Sequence, residues 1–92
     1  MTASGVWIAR IVFEPAVAKK LLDKHGVNTW EVDEACTLGA HREARWHTHP
    51  VYGRRLIVQG VTYRGDPILA YLKPIDERDG TWECRTARRL SP

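Results

Sequence analysis

The chain has no run of apolar residues long enough to cross a bilayer. It has only two cysteines, Cys36 and Cys84, which lie far apart and outside any CxxC spacing. Two reduced, buried thiols are therefore expected, rather than a disulfide or a metal site. The opening MTASGVWIARIVF lacks a basic start and leads directly into strand-like residues. That makes it a poor signal peptide, and the cytoplasm is the expected compartment. There are no internal repeats, no low-complexity tract and no linker. After Glu83 there is no further acid.

The 92 residues fit one domain, 1–92, with one modest core. Apolar residues make up 43% and charged residues 27%, ordinary for a globular protein. The net charge is +3, with a pI near 9.1. Its distribution says more than its size. Arg85-Thr86-Ala87-Arg88-Arg89 closes the chain, while acids concentrate in Asp23–Glu34 and Asp76–Asp79. A basic sheet and tail opposite a more acidic helix favour an anionic partner.

Arg54–Leu90 reads as three strands joined by turns at Arg64-Gly65-Asp66-Pro67 and Glu77-Arg78-Asp79-Gly80. Short turns imply antiparallel pairing, hence a meander. Side chains alternate along a strand, so parity sorts the faces. The even positions are Leu56, Val58, Gly60, Thr62, Ile68, Ala70, Leu72, Trp82 and Cys84, and they should face a core. The odd positions include Arg55, Ile57, Gln59, Val61, Tyr63, Tyr71, Lys73, Glu83 and Arg85. They mix aliphatic, aromatic and basic groups, more than a merely solvated face needs. An extra residue in any strand would exchange the faces beyond it.

Upstream, Val6–Phe13 reads as a strand. Pro15 begins a helix that runs to His25 and stops at Gly26, with Ala18, Leu21, Leu22 and His25 on its apolar stripe. A second helix, Thr29–Leu38, starts at once, with Asn28 and Glu31 at capping-box spacing and Gly39 ending it. A short strand near Glu43–His47 and a turn around Pro50 and Gly53 complete the chain. The expected class is α+β, in the order β-α-α-β-β-β-β. Two N-terminal helices pack on one face of an antiparallel sheet and leave the other face free.

Several segments together resemble the BrnT-type toxins of the RelE/ParE superfamily. These are Phe13-Glu14-Pro15-Ala16, the helix ending Lys24-His25-Gly26-Val27, the acidic helix after it, the strands, and the closing Thr86-Ala87-Arg88-Arg89. The resemblance spans roughly Ile11 to Arg89. It implies a RelE-like fold and a toxin of a bacterial type II toxin–antitoxin system, held inactive by a cognate antitoxin protein. The implied activity is RNA cleavage, free or on the ribosome, without metal or other cofactor. The ribose 2′-hydroxyl attacks the adjacent phosphate while basic side chains on the sheet stabilise the developing charge.

The candidate catalytic residues are Arg85, Arg88, Lys73 and Glu83, and the candidate RNA-binding residues are Arg55, Tyr63, Tyr71 and Arg89. Arg88 and Arg89 carry the resemblance; the others follow from face parity. Arginine suits phosphate because its planar fork donates two parallel hydrogen bonds. Lysine supplies a point charge, and tyrosine rings stack on unpaired bases. Glu83, the only acid of the odd face, is a possible proton acceptor. His25, His41, His47 and His49 form no evident metal set, since a lone HxH has neither a carboxylate nor a cysteine to complete it. Of the tryptophans Trp7, Trp30, Trp46 and Trp82, most are expected in the core, with Trp30 and Trp46 as alternative marks of a partner surface. A second functional reading keeps the fold without the chemistry: an interaction module, either a degenerate toxin or an inhibitor of a protein target such as gyrase.

Overall fold

A computed structural model describes residues 6–37 and 42–90. The elements run β1 (Arg10–Val12), α1 (Pro15–His25), α2 (Thr29–Thr37), β2 (Glu43–His49), β3 (Gly53–Val61), β4 (Pro67–Asp76) and β5 (Thr81–Arg89). The five strands form one sheet in the order β1-β5-β4-β3-β2. β2 to β5 are antiparallel neighbours, as their short turns require, whereas β1 lies parallel to β5. The sheet is therefore mixed and not purely antiparallel. The helices follow β1, in the expected order β-α-α-β-β-β-β, and the α1–α2 pair carries the chain from one sheet edge, β1, to the other, β2.

β1 is shorter than the expected Val6–Phe13. Arg10 already lies opposite Thr81, the first residue of β5, so residues before Arg10 have no strand to pair with. They are held by the turn instead. The Gly80 carbonyl accepts the N–H groups of Ala9 (2.8 Å) and Arg10 (3.0 Å). Gly80 has φ 75°, and a side chain there would press on the Ala9 backbone and the Trp7 ring, so only glycine fits.

α1 starts on Pro15 and ends on Gly26, whose φ is 64°; the Gly26 N–H donates to the Leu22 carbonyl, and Val27 N–H to that of Leu21. Its buried stripe differs from the expected one. Leu21 is buried and Val17 packs on the core, but Leu22 and His25 are exposed. In α2, Glu31 reaches back to the Asn28 N–H at 3.1 Å, the reciprocal half of a capping box. Leu38, Gly39 and His41 fall outside the described residues. The Arg42 guanidinium donates to the Cys36 carbonyl (2.6 Å) and to Val6 (2.8 Å), tying the end of α2 to the start of the described chain.

Both helices contribute to one core. Leu21, Val27, Val32, Ala35 and Cys36 meet Leu56, Val58, Ile68, Ala70, Leu72, Trp82 and Cys84. Every even position assigned to the core is buried, including Gly60 and Thr62. α2 approaches so closely at Gly60 that a Cβ would collide with the Ala35 carbonyl. Cys36 and Cys84 are free, buried thiols, each pushed up to about 12, chiefly by burial. The Trp82 indole N–H donates to the Trp7 carbonyl at 2.9 Å, and Trp46 packs on Trp82 with ring centroids 5.7 Å apart. Trp7 and Trp30 are exposed instead of buried.

β5 carries one extra residue. Tyr71 lies opposite Thr86 and Leu72 opposite Cys84, which leaves Arg85 as the bulge. Beyond it the parity reverses: Ala87 enters the core, Arg88 turns to the open face beside Leu69, and Arg89 turns toward the helices. A second shift between Pro74 and Asp76 leaves Ile75 unpaired, at a place where proline has no N–H for the ladder. Among the described residues, no helix is long and apolar enough to cross a membrane.

Candidate functional site

On the sheet face away from the core, register fixes the rows. Arg45, Ile57, Tyr71 and Thr86 lie side by side across β2 to β5; His47 adjoins Arg55, and Lys73 adjoins Glu83. α1 packs along β5 where β1 does not extend, so Lys20 stands over this face from one side. The β2–β3 turn, with Tyr52, rises from the other. Between them is an open cleft of about 360 Å³, lined by Lys20, Tyr52, Arg54, Arg55, Lys73, Arg85 and Thr86. Five of the seven lining residues are cations, and none is an acid.

Aromatic rings hold two of these cations flat. Arg54 lies 3.5 Å from the centroid of Trp46, which itself rests on Trp82 in the core. Arg55 lies 4.9 Å from the centroid of Tyr71. Such contacts orient a guanidinium without neutralising it. Carboxylates touch only the rim: Glu77 pairs with Arg54 at 3.4 Å, and Glu83 with Arg85 at 3.2 Å. Lys20, Arg55 and Lys73 have no ion-pair partner among the described residues. The Arg55 Nε–H is buried without an acceptor. A buried donor left unmet costs about 1–3 kcal/mol, and native proteins keep few of them outside functional sites.

The structure brings Arg55, Lys73 and Arg85 together in the cleft, with Tyr71 beneath Arg55 and Glu83 beside Lys73. Arg88 shares the open face but lines no part of the cleft. Tyr63 stands apart, in the turn at the far end of β3, where its N–H donates to Glu34 at 3.0 Å. Arg89 does not extend the open face. Its guanidinium donates to Glu31 at 2.8 and 3.2 Å and to the Gly26 carbonyl at 2.9 Å, and lies 3.4 Å from Asp66. The Arg89 hydrogen bonds hold the Glu31 carboxyl below its ordinary value, and Glu31 in turn raises Arg89. The bulge at Arg85 causes this reversal.

Lys20, Tyr52 and Arg54 were not singled out from the sequence as site residues. Arg54-Arg55 at a strand start was a readable sign of charge on both faces. Lys20 is an exposed residue of α1 off its apolar stripe, and only the seat of α1 against β5 gives it a place. Among the described residues no three His, Cys, Asp or Glu side chains gather as a metal site; His41 is not described. Comparison with protein-family models, with curated proteins and with solved structures finds no match.

Proposed function

We propose that the cleft binds the sugar–phosphate backbone of RNA. On this reading the protein is a metal-independent RNA endonuclease, the toxin of a type II toxin–antitoxin pair acting in the cytoplasm. One observation carries the binding part: Lys20, Arg55, Lys73 and Arg85 converge on one concavity with no carboxylate in its lining, while Arg54 borders it with its guanidinium laid on Trp46 at the core side of the sheet. Gathered like charges repel, and an anion between them relieves that repulsion. Arginine forks and a lysine point charge match the oxygens of a phosphodiester. The toxin assignment rests on the resemblance at Lys24-His25-Gly26-Val27 and Thr86-Ala87-Arg88-Arg89. On that reading an antitoxin covers the basic face.

Cleavage through the 2′-hydroxyl needs a proton acceptor, cationic stabilisation of the phosphorane and a proton donor. The 2′-oxygen bonds to phosphorus, the bond to the 5′-oxygen breaks, and a 2′,3′-cyclic phosphate forms. Glu83, beside Lys73 in register, is the candidate acceptor for the 2′ proton. Lys73 is the candidate donor to the departing 5′-oxygen. Arg55 and Arg85 hold the phosphate oxygens, and Arg88 extends the track along the face.

The test is cleavage of single-stranded RNA by purified protein in EDTA, scored for 2′,3′-cyclic ends. Arg55→Ala and Lys73→Ala should each lower the rate on the order of 10²-fold, with thermal stability kept. RNA binding without cleavage by wild-type protein would instead establish the interaction module. One contact favours that second reading: Arg85 engages Glu83, the only candidate acceptor beside the cleft.

A further inference from the structure

We propose that Tyr52, backed by His49, is a base-stacking subsite beside these cations, so that the cleft takes single-stranded RNA with one unpaired base on the Tyr52 ring. The proposal rests on the RNA reading above and adds to it the position and kind of the base contact.

Tyr52 lines the cleft, yet 68% of its surface is exposed. A large ring left in water at the lip of a cationic cleft has a face available to a flat ligand. Its other side is occupied. The His49 ring packs on it with centroids 4.7 Å apart and planes inclined by 33°. His49 is itself fixed, because its Nδ1 accepts the backbone N–H groups of Val51 (3.0 Å) and Tyr52 (3.1 Å). The turn, the histidine and the tyrosine thus hold one another. A ring held in place before binding loses little freedom when a base arrives.

The spacing suits a nucleotide. Tyr52 and Arg55 stand three residues apart, on either side of the turn at Gly53, and both line the cleft. A phosphate held at Arg55 therefore has its own base within reach of the Tyr52 ring. Bases inside a duplex are already stacked and present no free face, so the subsite selects single strands. Stacking uses the π-face that every base has, so discrimination among bases should be small.

The test compares two strands of roughly ten nucleotides, both 2′-O-methylated to prevent cleavage. One carries bases and the other is abasic over the same backbone. Fluorescence anisotropy gives the affinity of each for wild-type protein, Tyr52→Phe and Tyr52→Ala. Wild type and Tyr52→Phe should bind the base-bearing strand on the order of 5- to 100-fold more tightly than the abasic one. Tyr52→Ala should lose that preference while keeping its affinity for the abasic strand and its melting temperature. Equal binding of both strands by wild type, or a preference that survives in Tyr52→Ala, overturns the subsite and leaves the phosphate cleft standing. If wild type binds neither strand, the cleft reading falls and the subsite with it.

Discussion

Glu31 and Arg89 bind together four parts of the chain. Glu31 caps the start of α2 through the Asn28 N–H, and Arg89, near the end of β5, joins that carboxylate to the Gly26 carbonyl and to Asp66. Glu31 is 5% exposed, so its charge depends on these partners. Glu31→Gln should cost about 2 kcal/mol, less than the 3–5 of a fully enclosed pair because Arg89 keeps contact with water and with two other acceptors. The pH dependence follows from the sign of the shift. The folded carboxyl sits below its ordinary 4.5, so its contribution is complete above that value and is lost as pH falls through the lowered one. Urea denaturation near pH 7 and about pH 3 should show a smaller acid loss for Glu31→Gln than for wild type. Equal acid losses would remove Glu31 as a contributor. The cap was readable from Asn28 and Glu31 because it is local. The Arg89 partner was not, since the two residues are 58 positions apart and meet only after the bulge.

At the scale of elements, the three-strand meander and both helices follow from turn residues, caps and alternation, all of which act within a few residues. The seat of α2 on β3 depends on one missing side chain. Gly60 lets the Ala35 carbonyl approach the sheet, and α2 cannot retreat without opening the core around Val32 and Cys36. Gly60→Ala should therefore destabilise by about 1–3 kcal/mol or more, as overpacked cores do. Thermal melting monitored by far-UV circular dichroism would check it, and an unchanged midpoint would mean that α2 shifts freely. A loss at Gly60 cannot be attributed to backbone conformation, because its φ is not positive. The bulge at Arg85 belongs to the same scale. Nothing in Glu83-Cys84-Arg85-Thr86 marks it, because it arises where β5 must place both Cys84 and Ala87 in the core.

For the whole molecule, the net charge of +3 conceals an uneven field, concentrated where α1, the β2–β3 turn, β4 and β5 meet. If Lys20, Arg55, Lys73 and Arg85 neutralise three to four phosphates, the logarithm of affinity for single-stranded RNA should fall with the logarithm of salt at a slope of roughly −2 to −3. Lys20→Ala should make that slope shallower by roughly 0.7, although Lys20 lies on a helix. Anisotropy titrations between low and moderate salt measure both. A slope that Lys20→Ala leaves unchanged would remove α1 from the binding surface.

The sequence by itself determined the element order, the faces of β3 and β4, the capping of α2 and the state of the two thiols. Each depends on residues close in the chain or on simple alternation, and local sterics and burial decide those. Tertiary structure alone decided that β1 runs parallel to β5, that Arg89 serves the helices while Arg88 serves the open face, and that Lys20 and Tyr52 join Arg55, Lys73 and Arg85 around one cleft. These outcomes depend on where a helix rests against a sheet edge and on one extra residue in a strand. Both are set by packing between segments distant in sequence, for which a single chain written in order carries no local sign.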